Sequence, residues 1–334
     1  MFDQRVMILN MANSNTQTSN SLEAMKFEIE SQLMLPDNLD LPRQVDLPRC
    51  AMTGSGDSYI VASIASYLSK YRITCCYPST LILNPEILND KELYIISVSG
   101  RTAHNIAAAK VAIKNNIKTI AITADPESEL GKVCDGIVRI EYSRRRALTS
   151  GTASFFLSML TCLSLMTKIT YNRKDLRLAF EIANNRIDDL LKEIPSTTSS
   201  ILFLADGILY PVACYASLKL NEVLGIRSFP YSLEEYCHAP LFSIKKDDKV
   251  IILSGSENHV THSKIIKQFV EKLGGLNYSL SSLDFPGPSY LDCLFQAIFS
   301  VQILSLKMAK KNGLVDCFFV QSRNLLEISS DCIY

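Results

Sequence analysis

Short apolar runs alternate with longer stretches in which apolar residues recur every three or four positions, and this alternation fills the chain from residue 48 onward. The runs at 48–53, 72–76, 92–97, 117–123 and 136–141 predict strands, and the segments near 57–69, 102–115 and 152–168 predict helices. Strands buried on both faces read as nearly continuous apolar runs, and strands joined by helices pair in parallel. The pattern therefore predicts βαβ units on a buried parallel sheet. Ahead of them a helix is expected at 21–34, ended by a loop that Pro36 and Pro42 punctuate. Residues 11–20, rich in Asn, Ser and Thr, give an expected flexible N-terminal segment over 1–20.

A charged helix at 175–191 leads into a second series. Its expected strands are 200–204, 227–231, 249–254 and 276–281, and its helices 210–224, 259–273 and 288–312. The two series resemble each other. IISVSGRTAHNIAAAKVAIKNNIKTIAIT runs strand, serine-rich turn, helix, strand, and IILSGSENHVTHSKIIKQFVEKLGGLNYSLSS does the same. This predicts a duplicated α/β unit, with domains at 21–172 and 173–334 and a ligand at the carboxyl ends of the strands.

Composition narrows the function. The 334 residues suffice for about two domains. With 47% hydrophobic and 20% charged residues, the chain has the make-up of a globular protein. The 34 basic and 34 acidic residues cancel, so no field calls for nucleic acid or a membrane surface. Asp3 and the short apolar stretch Val6–Leu9 make a poor signal peptide. The densest apolar stretch, 153–166, is broken by Ser158, Thr161 and Ser164 and reads as a buried helix; no run is read as long enough to cross a bilayer. A cytoplasmic location is expected. The ten cysteines form no CxxC pair and no zinc spacing, so structural thiols are expected, with no metal and no cofactor.

Chemistry concentrates in three places. Ser97-Val98-Ser99-Gly100-Arg101-Thr102 lies between a strand and a helix, with hydroxyls at 97, 99 and 102 able to face one anion beside the helix N-terminus. Thr53-Gly54-Ser55-Gly56-Asp57-Ser58 makes a second such turn, where glycines let a ligand approach the backbone. The same residues can equally cap helices and turn the chain. In the second series Lys219 and Glu222 lie three apart, and Glu235 and His238 follow. Glu222 and His238 suit general acid–base work near neutral pH. Lys219 and Glu222 also fit a plain helical ion pair, since the apolar stripe Val212, Ala213, Ala216, Leu220, Val223, Leu224 is expected on a different face. His259 and His262 read as exposed loop or helix-start residues, and His104 falls in the first turn of the helix behind the serine-rich loop.

SVSGRT resembles the S-x-S-G-x-T phosphate loop of sugar-isomerase (SIS) domains, and TGSGDS lies where that family keeps its first glycine-rich loop. LEAMKFEIESQLMLPDNL resembles the helix that opens the isomerase domain of glucosamine-6-phosphate synthase. LKLNE and EYCHAP match the family's LK-x-x-E helix and E-x-x-H-G/A-P turn at the family's separation. Covering roughly 21–334, the resemblance implies two tandem SIS domains, each a flavodoxin-like α-β-α sandwich. It implies that Ser97, Ser99 and Thr102, helped by Ser55 and Gly54, bind the phosphate of a sugar or amino sugar. It further implies Glu222 as proton-transferring base, His238 as ring-opening group and Lys219 as a stabiliser of negative charge. The implied activity is aldose–ketose isomerisation of a hexose 6-phosphate, with deamination as a variant. The implied assembly is a homodimer, because the family's His-bearing turn reaches a neighbouring subunit.

The chain departs from the pattern in places. Arg323-Asn324-Leu325-Leu326-Glu327 stands where the synthases have R-N-L-x-K, so Glu327 replaces a lysine that can form an imine, and no lysine follows Lys311. Ser143-Arg144-Arg145-Arg146-Ala147 and Thr149-Ser150-Gly151-Thr152 replace a Glu and a VASTK-like run. An arginine there resembles the phosphoglucose/phosphomannose isomerase branch, and one of the three, with Arg146 the candidate, is expected to polarise the enediol oxygens. Phe2 is not the N-terminal cysteine that glutamine hydrolysis would need, so no glutaminase domain is expected. These departures make a non-catalytic, regulatory sugar-phosphate binder the alternative expectation.

Overall fold

The computed structural model describes residues 20–36, 44–169, 171–245, 248–254, 276–281 and 290–334, together with 268, 269 and 272. Helix α1 (Ser21–Ser31) is followed by β1 (Cys50–Gly54), α2 (Asp57–Leu68), β2 (Thr74–Cys75), α3 (Pro78–Leu83), β3 (Glu92–Ile96), α4 (Ala103–Lys114), β4 (Thr119–Thr123), α5 (Glu129–Val133), β5 (Gly136–Arg139) and α6 (Ala153–Met166). The chain continues through α7 (Arg173–Glu193), β6 (Ser200–Ala205), α8 (Leu209–Leu224), β7 (Arg227–Tyr231), α9 (Leu233–His238), β8 (Lys249–Ser254), β9 (Leu276–Ser281), α10 (Tyr290–Lys311), α11 (Phe318–Gln321) and α12 (Arg323–Ile333). Most of the expected helix 259–273, with His259 and His262, lies outside the described residues, as do Pro42 and nearly all of the 1–20 segment.

The described residues fall into two compact units, one drawn from Pro36–Ser143, Ala153–Tyr171 and Glu327–Tyr334 and the other from Met1–Leu35, Arg144–Thr152 and Asn172–Leu326. The first holds a sheet of order β2-β1-β3-β4-β5, parallel throughout. β1 and β4 are buried along their whole length, as their mostly apolar sequences favour. The strand order reverses between β1 and β3. Chains leaving these strands at their carboxyl ends therefore turn to opposite faces, which opens the crevice where doubly wound sheets take ligands. The second unit has a sheet of order β7-β6-β8-β9, again parallel, matching the order β2-β1-β3-β4 of the first.

The structure corrects two expectations. The domain boundary at 172/173 separates the two sheets, but α1 and residues 144–152 pack with the second sheet. The cause is tertiary: Leu22, Ala24, Met25 and Ile29 are buried, α1 lies against α10, and Ser21 is tied to Asp316 and Cys317. Next, α10 is long and apolar enough to cross a membrane by length and composition alone. Its apolar window is nonetheless 89% buried, against α1, α7 and α8 within its own unit, and that contact accounts for an apolar surface on every side. The Arg323–Glu327 run lies in helix α12, which has neither Gly nor Pro.

All ten cysteines are free thiols. Burial pushes the Cys50 thiol up to about 12 and Cys75 and Cys134 up to about 11, and the thiolate is the reactive species. We expect iodoacetamide to alkylate the exposed Cys332 in native protein and Cys50, Cys162 and Cys317 only after denaturation, as read by peptide mass spectrometry. Native labelling of Cys162 would show that α6 opens.

Candidate functional site

The first constellation lies at the switch point of the first sheet. β1 ends at Gly54, where an added Cβ would come within 2.7 Å of the Ser58 backbone, so only glycine fits the turn into α2. β3 ends at Ile96, and the next turn closes with the Gly100 N–H donating to the Ser97 carbonyl at 3.0 Å. Gly100 sits at φ +62° and Gly56 at φ +56°, the left-handed region that favours glycine. Ser97 is buried; Ser55, Ser99 and Thr102 are half-buried. Thr102 is the N-cap of α4, yet its side chain makes no capping hydrogen bond. Asn105, 1% exposed, joins the two loops: its Oδ1 accepts from Ser55 Oγ at 3.0 Å and its Nδ2 donates to the Ile96 carbonyl at 3.3 Å. Sequence reasoning missed Asn105. Its signal was a polar residue on a helix face otherwise made of Ile106, Ala108, Ala109 and Ala112.

The second constellation belongs to the second unit. Lys219 is fully buried, and its Nζ donates to Glu222 Oε2 at 2.7 Å and lies 5.2 Å from the Tyr215 ring centroid. The Glu222 side chain is 40% exposed. The alternative of a plain exposed ion pair does not describe Lys219: α8 turns Tyr215, Ala216, Lys219, Leu220 and Val223 inward together. Ser150 Oγ donates to the same Glu222 oxygen at 2.6 Å. Residues 149–152 are held from several sides. Tyr215 Oη donates to the Gly151 carbonyl at 2.7 Å, and Gln302 Nε2 donates to the Thr152 carbonyl at 3.3 Å. Thr149 and Thr152 donate to the two oxygens of Glu28 at 3.0 and 2.8 Å. Burial pushes the Glu28 carboxyl above the usual carboxylate range, against those two hydroxyls and the charges of Arg144 and Lys219.

The other expected residues are more open. His238 is exposed at the end of α9, with no hydrogen bond to Glu222, and Glu235 is exposed beside it. Of the three arginines, Arg145 lies over the Phe27 ring at 4.7 Å, Arg144 is the one whose charge reaches Glu28, and Arg146 is exposed. Glu327 is exposed on α12, and His104 on the first turn of α4. Among the described residues no group of three His, Cys, Asp or Glu side chains could hold a metal ion.

The family model of the SIS domain matches residues 46–168, the stretch that carries the first sheet and both switch-point loops. Residues 46–168 are thus similar to a SIS domain. Among curated relatives, glutamine–fructose-6-phosphate aminotransferase [isomerizing] of Clostridium tetani is 29% identical over 266 residues, 70% of this chain and 43% of that protein. The Wigglesworthia glossinidia brevipalpis protein of the same name is 27% identical over 229 residues, 60% of this chain and 36% of its own. The chain therefore spans less than half the length of these relatives. Solved structures share the α/β fold with parallel sheets flanked by helices. Glucosamine-6-phosphate deaminase of Thermotoga maritima superposes with a TM-score of 0.70 at 24% identity, over 88% of this chain and 94% of that one. Tagatose-6-phosphate ketose/aldose isomerase of Escherichia coli gives 0.64 at 16%, over 88% and 90%.

The stretch that matches the SIS domain thus presents hydroxyls and backbone N–H groups at a helix N-terminus, a donor set without a lysine that is suited to a phosphate dianion. The Glu222 carboxylate has one oxygen anchored by Ser150 and Lys219. Its partly exposed position leaves the carboxylate reachable from solvent. Such a group can take a proton from carbon and return it to the neighbouring carbon.

Proposed function

We propose that the chain is a tandem-SIS enzyme that binds a hexose 6-phosphate, or the corresponding amino sugar, and interconverts its aldose and ketose forms. The observation that carries this reading is the Ser150–Glu222–Lys219 arrangement, a partly exposed carboxylate held by one oxygen over a buried ammonium. In the proposed reaction His238 assists ring opening. Glu222 then removes the C2 proton of the open aldose; the electrons of that bond form the C1=C2 double bond as the carbonyl π pair moves to O1, and the same proton returns to C1 while the O2 hydroxyl proton passes to O1 and the C2 carbonyl forms. Lys219 stabilises the charge. Ser97, Ser99, Thr102, Ser55 and Gly54 hold the phosphate. The relatives' names support the substrate class, since fructose 6-phosphate, glucosamine 6-phosphate and tagatose 6-phosphate are all 6-phosphates of a sugar or amino sugar. The matching strand order of the second sheet supports a second SIS domain. The exposed His238 supports a homodimer in which this turn serves a neighbouring subunit. A cytoplasmic location goes with that class of metabolic enzyme.

One observation favours a second reading, a regulatory binder without turnover: Glu327 occupies the place of the imine-forming lysine. The test is a screen of fructose, glucose, mannose and glucosamine 6-phosphates, with and without ammonia, for binding, turnover and exchange of the C2 hydrogen in deuterated water. Tight binding with neither turnover nor exchange decides for the regulator. In the same assay Ser97→Ala with Thr102→Ala weakens phosphosugar binding by ~1–3 kcal/mol, because hydrogen bonds to a charged group are lost. Binding of the unphosphorylated sugar barely changes. Equal losses for both ligands would move the phosphate elsewhere.

A further inference from the structure

We propose that Glu28 is a positioning residue for Glu222, acting through the 149–152 segment; the inference rests on the isomerase reading above. Glu28 lies on α1, on the same buried stripe as Leu22, Met25 and Ile29, and is 3% exposed. A carboxylate buried there is costly unless its hydrogen bonds are made, and an apolar residue would pack the stripe more simply. Its two oxygens are divided between Thr149 and Thr152, the residues that bracket Ser150 and Gly151. Ser150 in turn places its hydroxyl 2.6 Å from Glu222 Oε2. The relay is therefore α1 carboxylate, paired threonine hydroxyls, Ser150, Glu222. Neither threonine touches Glu222 by a hydrogen bond, so their influence on it runs through Ser150. The charged groups facing Glu28 are Arg144, ahead of the 149–152 segment, and Lys219 from α8.

The test uses the full-length protein and compares two pairs of substitutions. Thr149→Val with Thr152→Val keeps shape and removes both hydroxyls; Thr149→Ser with Thr152→Ser keeps the hydroxyls and loses only methyl groups. If the grip positions Glu222, the valine pair lowers kcat about 10- to 100-fold with KM little changed, the scale expected when a reacting group is misplaced by a fraction of an ångström to an ångström. The serine pair stays within about 3-fold of the parent, because its hydroxyls retain both grips. In a Ser150→Ala background the valine pair has no further effect on kcat. Equal impairment by the two pairs, or an undiminished valine effect in the Ser150→Ala background, overturns the proposal and leaves Glu28 a packing residue.

A second readout needs no turnover: the 13C resonance of the Glu222 carboxyl, assigned by its loss in Glu222→Gln. It moves in Ser150→Ala and in the valine pair, and holds in the serine pair. If the parent protein turns over none of the sugar phosphates, the isomerase reading fails while this resonance still decides the positioning role. An unmoved resonance in the valine pair overturns it. Should the pair not fold, the single Thr149→Val substitution, at a half-buried site, carries the same comparison with Thr149→Ser.

Discussion

Replacing Glu222 with Gln lowers turnover by about 10²–10⁴, the usual contribution of a general base, while phosphosugar affinity stays near that of the parent. The amide keeps the shape of the side chain and still offers an oxygen to Lys219 and Ser150, whose donors lie at 2.7 and 2.6 Å. What it loses is the capacity to take a proton from carbon. Exchange of the C2 hydrogen with deuterated water should therefore vanish with turnover. Stability should fall by only about 1–3 kcal/mol, since hydrogen bonds to a charged acceptor are weakened and the site is partly open to solvent. His238→Ala separates the steps: it slows a cyclic substrate much more than an open-chain analogue, because its proposed task ends once the ring is open. Retained turnover in Glu222→Gln would mean that another group carries the proton.

The sheets were legible because a parallel strand buried on both faces has to be apolar throughout. β3, β4, β6 and β8 fall within a residue or two of the runs read from the chain. The switch-point loops were legible for a related reason: a turn that needs φ above zero and room for a ligand takes glycine, and Gly56 and Gly100 mark both. What stayed hidden depends on tertiary contacts. Nothing local says that α1 joins the second sheet rather than the first. In α10 the buried Gln296, Ser300, Gln302 and Ser305 interrupt the apolar reading and masked its length.

The acid/base site was half legible. The spacing of Lys219, Glu222 and His238 stood out, but the burial of Lys219 did not, since the aliphatic residues of α8 alone set a stripe that leaves it out. Tyr215 and Lys219 share the inward face with Leu220 and Val223. Glu28 carried a signal that went unread: Leu22, Met25, Ile29 and Gln32 set a stripe at helical spacing, and the glutamate falls on it. A charge on a buried stripe needs partners, and these lie in the 149–152 segment, far away in the chain. Sequence periodicity locates such a residue; only the folded contacts show what it holds.

Gly100→Ala is expected to lower stability by about 2–4 kcal/mol, at the severe end for a single methyl group, and to remove phosphosugar binding. Two terms add. At φ +62° an L-residue carries backbone strain of order 1 kcal/mol or more. The added Cβ would also overlap the Ser128 hydroxyl and lie 3.2 Å from Thr123 Oγ1. Neither side can yield cheaply. The Gly100 carbonyl accepts from the Leu130 N–H at 3.0 Å, so the backbone is tied. Ser128 donates to the Asp125 carbonyl at 2.6 Å and accepts from the Gly131 N–H at the start of α5, so its hydroxyl is tied as well. Gly56→Ala is the comparison with backbone strain and no clash: its φ is +56° and its ψ −127°, and an added Cβ there meets nothing within 4 Å. In urea titrations Gly100→Ala is expected to be the less stable of the two by about 1–3 kcal/mol, because the clash with Ser128 is added to its backbone strain. Equal midpoints would mean that the 97–102 turn relaxes around the methyl group. In that case the loss of phosphosugar binding in Gly100→Ala should shrink to the level of Gly56→Ala, because a turn free to move does not hold its donors on the anion in advance.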